Sequence, residues 1–484
     1  MPGLRRLPRS TPEEQGVDPR ALSRLVDALV GWPELHSLMV LRHGAVVAEG
    51  WAAPYAPDRL HELYSLSKSV TSTAVGFAVA DGLLTVDDLV LDHFPDLAPA
   101  TPDANLRRMR VRHLLTMTTG HAQDPTERVF PTADWVASFL AQPVEHEPGT
   151  FFAYNTAATF MLSAIVQKLT GQRLLDYLGP RLFEPLGIEG ATWQQSPDGI
   201  DTGGSGLSAT TEDIAVFGQL YLQGGIWEGN QLVPADWVAE ATRAQVPNDG
   251  GPDPDWTQGY GYQFWRGRHG SYRGDGAFGQ FCVVLPAQDL VVVTTSGVAD
   301  MHHQLELVWE NLLPGLSDTP IPADDDGRAL LADQLGSLRL DPPAGAPTSP
   351  TAARLSGRTI TFEPHPLQIR NAVLEVGREQ DRLTVDHGED TVIVTVGHAE
   401  PALTRTTLRR REPEDVLVSG TWTSVDTYVL TLRFVEAPFV ATVTMTVSDE
   451  DVVVGCEMNA AFGPTTAPPL IGTLVQAVDD VWVG

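Results

Sequence analysis

Tyr64-Ser65-Leu66-Ser67-Lys68-Ser69 opens a helical run that continues through Thr71–Ala80, and the reading of the chain turns on this stretch. Residues i and i+3 share a helix face, which puts Ser65 Oγ and Lys68 Nζ within hydrogen-bond reach. A serine hydroxyl is a poor nucleophile until a base removes its proton, and a neutral lysine or a phenolate can do that. The helix N-terminus adds backbone N–H groups that favour developing negative charge. Alone the spacing is weak: chance supplies a Ser-x-x-Lys in on the order of one chain in ten, as a capping serine and a solvated lysine.

Lysine usage sharpens it. Lysine occurs only at positions 68 and 168, every other basic side chain being arginine. Arginine cannot lose its proton in a protein, whereas a desolvated lysine can, so a site that needs a neutral amine could not be served by arginine.

Moving outward, residues 1–320 read as mixed α/β. A helix near Ala21–Leu29 precedes strands Ser37–Arg42 and Ala45–Glu49, joined at His43-Gly44 as a hairpin. Helical periodicity dominates from Ser67 to about Gly187, with Thr85-x-x-Asp88 and Thr170-Gly171 as start and stop signals. Strands return at Tyr260–Trp265, Phe281–Leu285 and Leu290–Ser296. An Asp- and Pro-rich stretch follows, with a short helix at Ala329–Leu335, and residues 321–355 are assigned to a linker. From 356 to 484 the strands Leu383–Val385, Thr391–Val396, Tyr428–Phe434, Val440–Val447 and Val452–Cys456 predict an antiparallel β domain.

The chain has 484 residues and a formal net charge of -30, with 42% hydrophobic residues. That acidity speaks against nucleic-acid or membrane-surface partners. No apolar run is long enough to span a bilayer and no signal peptide is read, so the cytoplasm is the expected location. Cys282 and Cys456 lie far apart and are expected as buried free thiols. No cofactor or metal is called for, and the sequence sets no oligomeric state. His61-Glu62 and His302-His303 lack zinc spacing. Gly274-x-Gly276-x-x-Gly279 leads into a strand rather than a helix, so it is not a dinucleotide fingerprint. No Gly-x-Ser-x-Gly elbow occurs.

From His61 to Pro95 the chain carries Tyr64-Ser-Leu-Ser-Lys-Ser, Gly82-Leu-Leu-Thr-Val-Asp-Asp and Phe94-Pro. In order there follow Val111-Arg-His-Leu-Leu-Thr-Met-Thr-Thr-Gly120, Pro148-Gly-Thr-Phe-Phe-Ala-Tyr154, Pro185-Leu-Gly-Ile188 and Gly204-Ser-Gly-Leu207 leading to Asp213. Over roughly the first 300 residues this resembles the serine hydrolases related to class C β-lactamases, D-Ala-D-Ala carboxypeptidases and the esterases of that fold. The resemblance implies a β-lactamase/transpeptidase-like fold, an antiparallel sheet flanked by helices with a helical subdomain. It implies Ser65 as nucleophile, Lys68 as its activator and Tyr154 as the phenol exchanging a proton with Ser65. The relatives' Tyr-x-Asn motif stands here as Tyr154-Asn155-Thr156, leaving Asn155 or Thr156 to replace the asparagine. Their Lys-Thr-Gly motif falls at Gly274-Asp275-Gly276, with the N–H groups of Ala277 and Ser65 as the oxyanion hole.

The reaction expected is hydrolysis of a small carboxylic ester or amide through an acyl-enzyme. β-Lactamase or D-Ala-D-Ala carboxypeptidase activity is the alternative, as is an inactive scaffold binding a partner through its C-terminal domain. The missing lysine and the charge of Asp275 argue for neutral substrates, with Arg273 expected on the opposite face from Gly274. Tyr260, Tyr262, Phe264 and Trp265 read either as pocket wall or as core on alternating strand faces.

Overall fold

The computed structural model describes residues 7–32, 34–248, 251–388, 390–409 and 412–475. Helix α1 (Pro19–Gly31) starts where sequence rules place a start: the Asp18 side chain accepts from Arg20 N–H, and Pro19 fills the first turn. Strands β1 (Leu35–Arg42) and β2 (Ala45–Trp51) meet at His43 and Gly44, whose φ values of 50° and 75° give the left-handed pair a tight hairpin needs. They join β3 (Trp265–Arg266), β4 (Tyr272–Gly276), β5 (Gln280–Leu285) and β6 (Leu290–Ser296) in one antiparallel sheet of order β2-β1-β6-β5-β4-β3.

Helix α2 (Ser67–Ala80) runs through the interior, and every residue from Ser67 to Ala78 is buried. Its polar residues are small and mostly bonded: Ser69 Oγ donates to Gln263 O, Thr71 Oγ1 to Gly203 O, and Thr73 Oγ1 shares a bond with Tyr221 Oη. An unpaired buried hydroxyl costs about 1–3 kcal/mol, so these bonds tie the helix to its neighbours in one register. Gly76 is required by contact rather than conformation, since a Cβ there would meet the Trp237 ring at 2.6 Å. Helix α3 (Thr156–Thr170) packs on α2 and ends at Gly171, φ 71°, as the stop signal predicted. The Thr85-x-x-Asp88 signal makes its hydrogen bonds but closes a turn, and the next helix begins only at Val90. Helix α4 (Thr211–Leu222) lies against β1, β5 and β6.

The stretch expected as strand Tyr260–Trp265 is a loop, strand geometry starting only at Trp265. Gln263 breaks it with φ 65° and spends its side-chain amide on Leu114 O and Leu115 O. The four aromatic residues divide accordingly. Tyr262 and Phe264 enter the main core, whereas Tyr260 and Trp265 pack with Met117 beside Tyr154.

The described residues fall into two compact units that part between Leu338 and Arg339, Gly297–Ala299 counting with the second. The first therefore extends past the expected boundary at 320. Helices α5 (Met301–Asn311) and α6 (Asp325–Gly336) both pack on α1, with Ser23 Oγ donating to Gln334 Oε1 at 2.6 Å and Arg20 paired to Asp324 at 2.6 Å. Residues 340–345 have no helix or strand and are mostly exposed, before Ala346 pairs with Trp422 through two backbone hydrogen bonds. Limited proteolysis is expected to cut there and to spare 325–336; cleavage within α6 at low protease would show that it is not part of the packed unit.

The second unit is a closed antiparallel barrel of ten strands. In chain order these are Thr359–Phe362, Ile369–Glu375, Gln380–His387, Asp390–Gly397, Ala402–Thr406, Glu414–Trp422, Thr427–Phe434, Val440–Ser448, Asp451–Met458 and Leu470–Val475. The five segments read as strands all lie within them. Closure comes where Gly397 pairs in parallel with Ser419. Inside, Asp381 accepts from His398 Nε2 at 2.9 Å and from Tyr428 Oη. Cys282 and Cys456 are free, Cys282 buried and Cys456 half-buried. Among the described residues no helix is long and apolar enough to cross a membrane.

Candidate active site

Ser65 is held by a short strand and a strained turn. His61–Glu62 pairs with Leu207–Ala209, and Leu63 N–H donates to Leu207 O at 2.8 Å. The chain then reverses at Tyr64, φ 49°, a left-handed conformation that costs a non-glycine residue about 1–2 kcal/mol. A 3-10 turn over Tyr64–Leu66 leads straight into α2, leaving Ser65 half-buried at the helix entrance.

Lys68, one turn on, is 1% exposed. Its Nζ donates to Ser65 Oγ at 2.9 Å, Thr156 Oγ1 at 3.2 Å and Gly204 O at 2.7 Å. Burial pulls its pKa down to about 7, with the charges of Asp124 and Asp275 opposing that shift. The three contacts are not equivalent. A carbonyl oxygen only accepts, whereas a serine hydroxyl can donate. A neutral amine has two N–H groups for these three oxygens, so one serves Gly204 O and its lone pair faces a hydroxyl, that of Ser65 or of Thr156. Gly204 makes this possible, because a Cβ there would come within 2.8 Å of Thr156 O and Cγ2.

Tyr154 lies across the same gap. Its ring centroid is 4.8 Å from Lys68 Nζ, and it stacks on Trp265 at 5.2 Å, with Ser65 and Trp265 near enough to its hydroxyl to favour ionisation slightly. Burial pushes its pKa well up, Asp275 and Asp124 adding to the effect. At neutral pH it is a phenol, which makes Lys68 the better proton acceptor of the two.

Of the two residues left open for the motif asparagine, Thr156 is at Lys68. Asn155 is fully buried and caps α3, its Oδ1 accepting from Ala158 N–H at 2.8 Å and its Nδ2 donating to Thr119 Oγ1 at 3.3 Å.

Strand β4 forms the opposite wall. Gly274 faces α2, and a Cβ on it would lie 3.1 Å from Leu66 Cγ and 3.2 Å from Ser69 Oγ, so no longer side chain fits in this packing. A Cβ on Gly276 would reach Leu63 O at 2.1 Å, so the strand end abuts the backbone that carries Ser65. The Phe278 ring meets the Tyr64 ring edge-on at 5.5 Å. These two contacts hold the Gly276–Phe278 turn against the Leu63–Tyr64 backbone.

Asp275 differs from expectation. It shares a strand face with Arg273, two residues away, and the two pair at 2.9 Å. Burial pushes the Asp275 carboxyl up and Arg273 opposes it. Arg273 also donates to Asp255 O at 2.9 Å and lies 4.4 Å from the Trp256 ring centroid, leaving its side chain fully enclosed. The repulsion expected of a bare Asp275 is thus largely neutralised, and Arg273 is not accessible to a substrate.

Asp124, Gly204 O and Trp265 were not singled out as site residues from sequence. Trp265 was weighed only as pocket or core, and Asp124 stands alone in a polar stretch. A groove of about 690 Å³ along β2, walled by residues 9–12 and α6, contains none of the reactive side chains. His61 hydrogen-bonds His36 at 2.9 Å in the interior, and His302 lies 3.2 Å from Glu306.

Residues 24–308 match the family model described as Beta-lactamase. A protein named 6-aminohexanoate-dimer hydrolase from Paenarthrobacter ureafaciens is 28% identical over 302 residues, 58% of this chain and 76% of its own length. "Putative D-alanyl-D-alanine carboxypeptidase" from Escherichia coli (strain K12) is 25% identical over 312 residues, 48% of this chain and 71% of its own. A solved structure, "Putative 6-aminohexanoate-dimer hydrolase from Bacillus anthracis", superposes with a TM-score of 0.51 at 20% identity, over 63% of this chain and 85% of that one, a likeness of fold.

Proposed function

Since the chain belongs to the beta-lactamase family, we propose that it is a serine hydrolase that cleaves small carboxylic esters or amides through an acyl-enzyme on Ser65. The observation that carries the reading is the buried Lys68 amine, 2.9 Å from Ser65 Oγ and with a pKa near 7. At neutral pH a large fraction of it is unprotonated and within reach of the serine proton.

The steps follow from the contacts. Ser65 Oγ attacks the substrate carbonyl carbon as its proton passes to Lys68 Nζ. The carbonyl oxygen, now negative, is held by the N–H groups of Ser65 and Ala277. Tyr154, whose ring lies 4.8 Å from Lys68 Nζ, relays the proton from Lys68 to the departing alcohol or amine, and the C–O or C–N bond breaks. Water then attacks the ester on Ser65, giving a proton to Lys68 and Tyr154, which pass it to Ser65 Oγ as the acyl C–O bond breaks and the acid departs. Thr156 takes the place of the motif asparagine beside Lys68. The hydrolase named after the 6-aminohexanoate dimer supports an amide among the substrates. Two free cysteines support a reducing compartment, and we place the protein in the cytoplasm.

Substrates that bear a carboxylate beside the scissile carbonyl need a cation there. Gly274 has no room for one and Arg273 is enclosed. A p-nitrophenyl ester of a short acid is therefore expected to exceed a chromogenic cephalosporin in kcat/KM by at least about tenfold, the loss of one charge-assisted contact. A cephalosporin value equal to or above the ester value would assign the chain to the β-lactamase or D-Ala-D-Ala carboxypeptidase reading instead.

A further inference from the structure

The first turn of α3 is capped by three different groups. Asn155 Oδ1 accepts from Ala158 N–H, Thr126 Oγ1 accepts from Ala157 N–H at 3.0 Å, and Asp124 Oδ2 accepts from Thr156 N–H at 3.0 Å. Asp124 Oδ1 takes the Thr126 N–H at 3.0 Å and its hydroxyl at 2.5 Å. For Asn155 and Thr126, neutral oxygens suffice. Asp124 takes three donors on its two oxygens, which suits a carboxylate, but hydrogen bonding alone does not say why the charge stands at this point of the helix.

Position supplies the reason. Thr156, whose N–H Asp124 holds, is the residue whose hydroxyl sits 3.2 Å from Lys68 Nζ. Two anions act on Lys68, Asp124 and Asp275. Asp275 is paired to Arg273, whereas Asp124 has no ion-pair partner among the described residues. The remaining titratable neighbour of Lys68 is Tyr154, protonated throughout the relevant range. His121 interacts with Asp124, but burial pulls its pKa down to about 4, so it stays neutral above that.

We propose that Asp124 is the positioning residue for Lys68: it fixes the Thr156 contact and supplies the uncompensated negative charge that the ammonium meets when Ser65 gives up its proton. This rests on the Ser65/Lys68 reading above.

The test is the pH dependence of Ser65 labelling by a fluorophosphonate, followed in the full chain with the melting temperature recorded alongside. In the wild type the rate rises through the Lys68 pKa, near 7. Asp124→Asn keeps an oxygen for Thr156 N–H, gives up the acceptor for Thr126 and removes the charge, and only the last of these favours the neutral amine. The acid limb is expected to move to lower pH by at least about half a unit, and the plateau to fall. Asp124→Glu keeps the charge and is expected to hold the limb at the wild-type position even where the plateau falls. A residue that served only as a helix cap would lower stability or plateau and leave both limbs in place. An unmoved limb in Asp124→Asn overturns the inference, as does a displaced limb in Asp124→Glu; if the asparagine variant does not fold, Asp124→Ser, which keeps an acceptor without the charge, takes its place under the same criterion. A wild type that is not labelled at Ser65 removes the hydrolase reading itself, an outcome distinct from either.

Discussion

Ser65→Ala is expected to fold normally and to lose at least about 10⁴-fold in kcat, together with all covalent labelling by a fluorophosphonate. The expectation of an intact fold comes from what Ser65 Oγ bonds to, the amine of Lys68. Without it, Lys68 still donates to Thr156 Oγ1 and Gly204 O, so no buried amine is stranded. The cost is about one hydrogen bond, on the order of 1 kcal/mol, or a melting shift of a few degrees at most. The loss in turnover has no such cushion. Lys68, Tyr154 and the two oxyanion N–H groups remain, but they have no nucleophile to activate and no acyl group to hold. Ser65→Ala protein that still labelled with the probe, or turned over the ester within tenfold of wild type, would remove Ser65 from the mechanism and leave the inert-scaffold reading of the chain standing.

What the sequence disclosed and what it hid divide along a physical line. The contact between Ser65 and Lys68 was legible because a 3-10 turn running straight into α2 carries them, and helical winding brings residues three apart together. The hairpin at His43-Gly44, the end of α3 at Gly171 and the barrel strands were legible for a similar reason: each signal is local. Contacts made across the fold were not. Nothing in Tyr154-Asn155-Thr156 says which of the last two faces Lys68, because the answer lies in the capping of α3 by Asn155, Thr126 and Asp124 from separate segments. Alternation puts Arg273 opposite Gly274, as expected, and by the same rule on the face of Asp275, where the two pair and the charge of Asp275 is compensated. The aromatic run Tyr260–Trp265 imitated a strand, since Gln263 turns the chain only through bonds to residues some 150 positions earlier. Helix α6, whose core was read as a short helix within the linker, belongs to the first unit because α1 covers it, a contact spanning about 300 residues.

Lys68→Arg is expected to be nearly as damaging as Lys68→Ala, each losing on the order of 10²- to 10⁴-fold in kcat/KM. The comparison separates two jobs that a lysine can do. A guanidinium keeps the positive charge and five donors but does not give up its proton near neutral pH, so it can stabilise charge and cannot act as a base. If Lys68 served only as a cation, arginine would retain most of the activity, and that result would end the proton-transfer account. Space is a separate matter, because Gly204 and Thr156 already crowd the amine, so Lys68→Met serves as the uncharged control of similar length. Its stability makes a second, independent reading of the same pKa. The Lys68 amine titrates near 7 in the folded chain and near 10.5 when unfolded. Between those values the unfolded state holds a proton that the folded state lacks, so the lysine protein gains stability relative to the methionine variant as pH rises from 7 to 10.5. Below pH 7 both states are protonated and the full cost of burying the ammonium is felt. The difference in melting temperature between the methionine variant and wild type is therefore expected to be largest at or below pH 7 and to shrink steadily toward pH 10. A difference that stayed flat across that window would mean that Lys68 does not titrate near 7, and the neutral amine on which the chemistry depends would be gone.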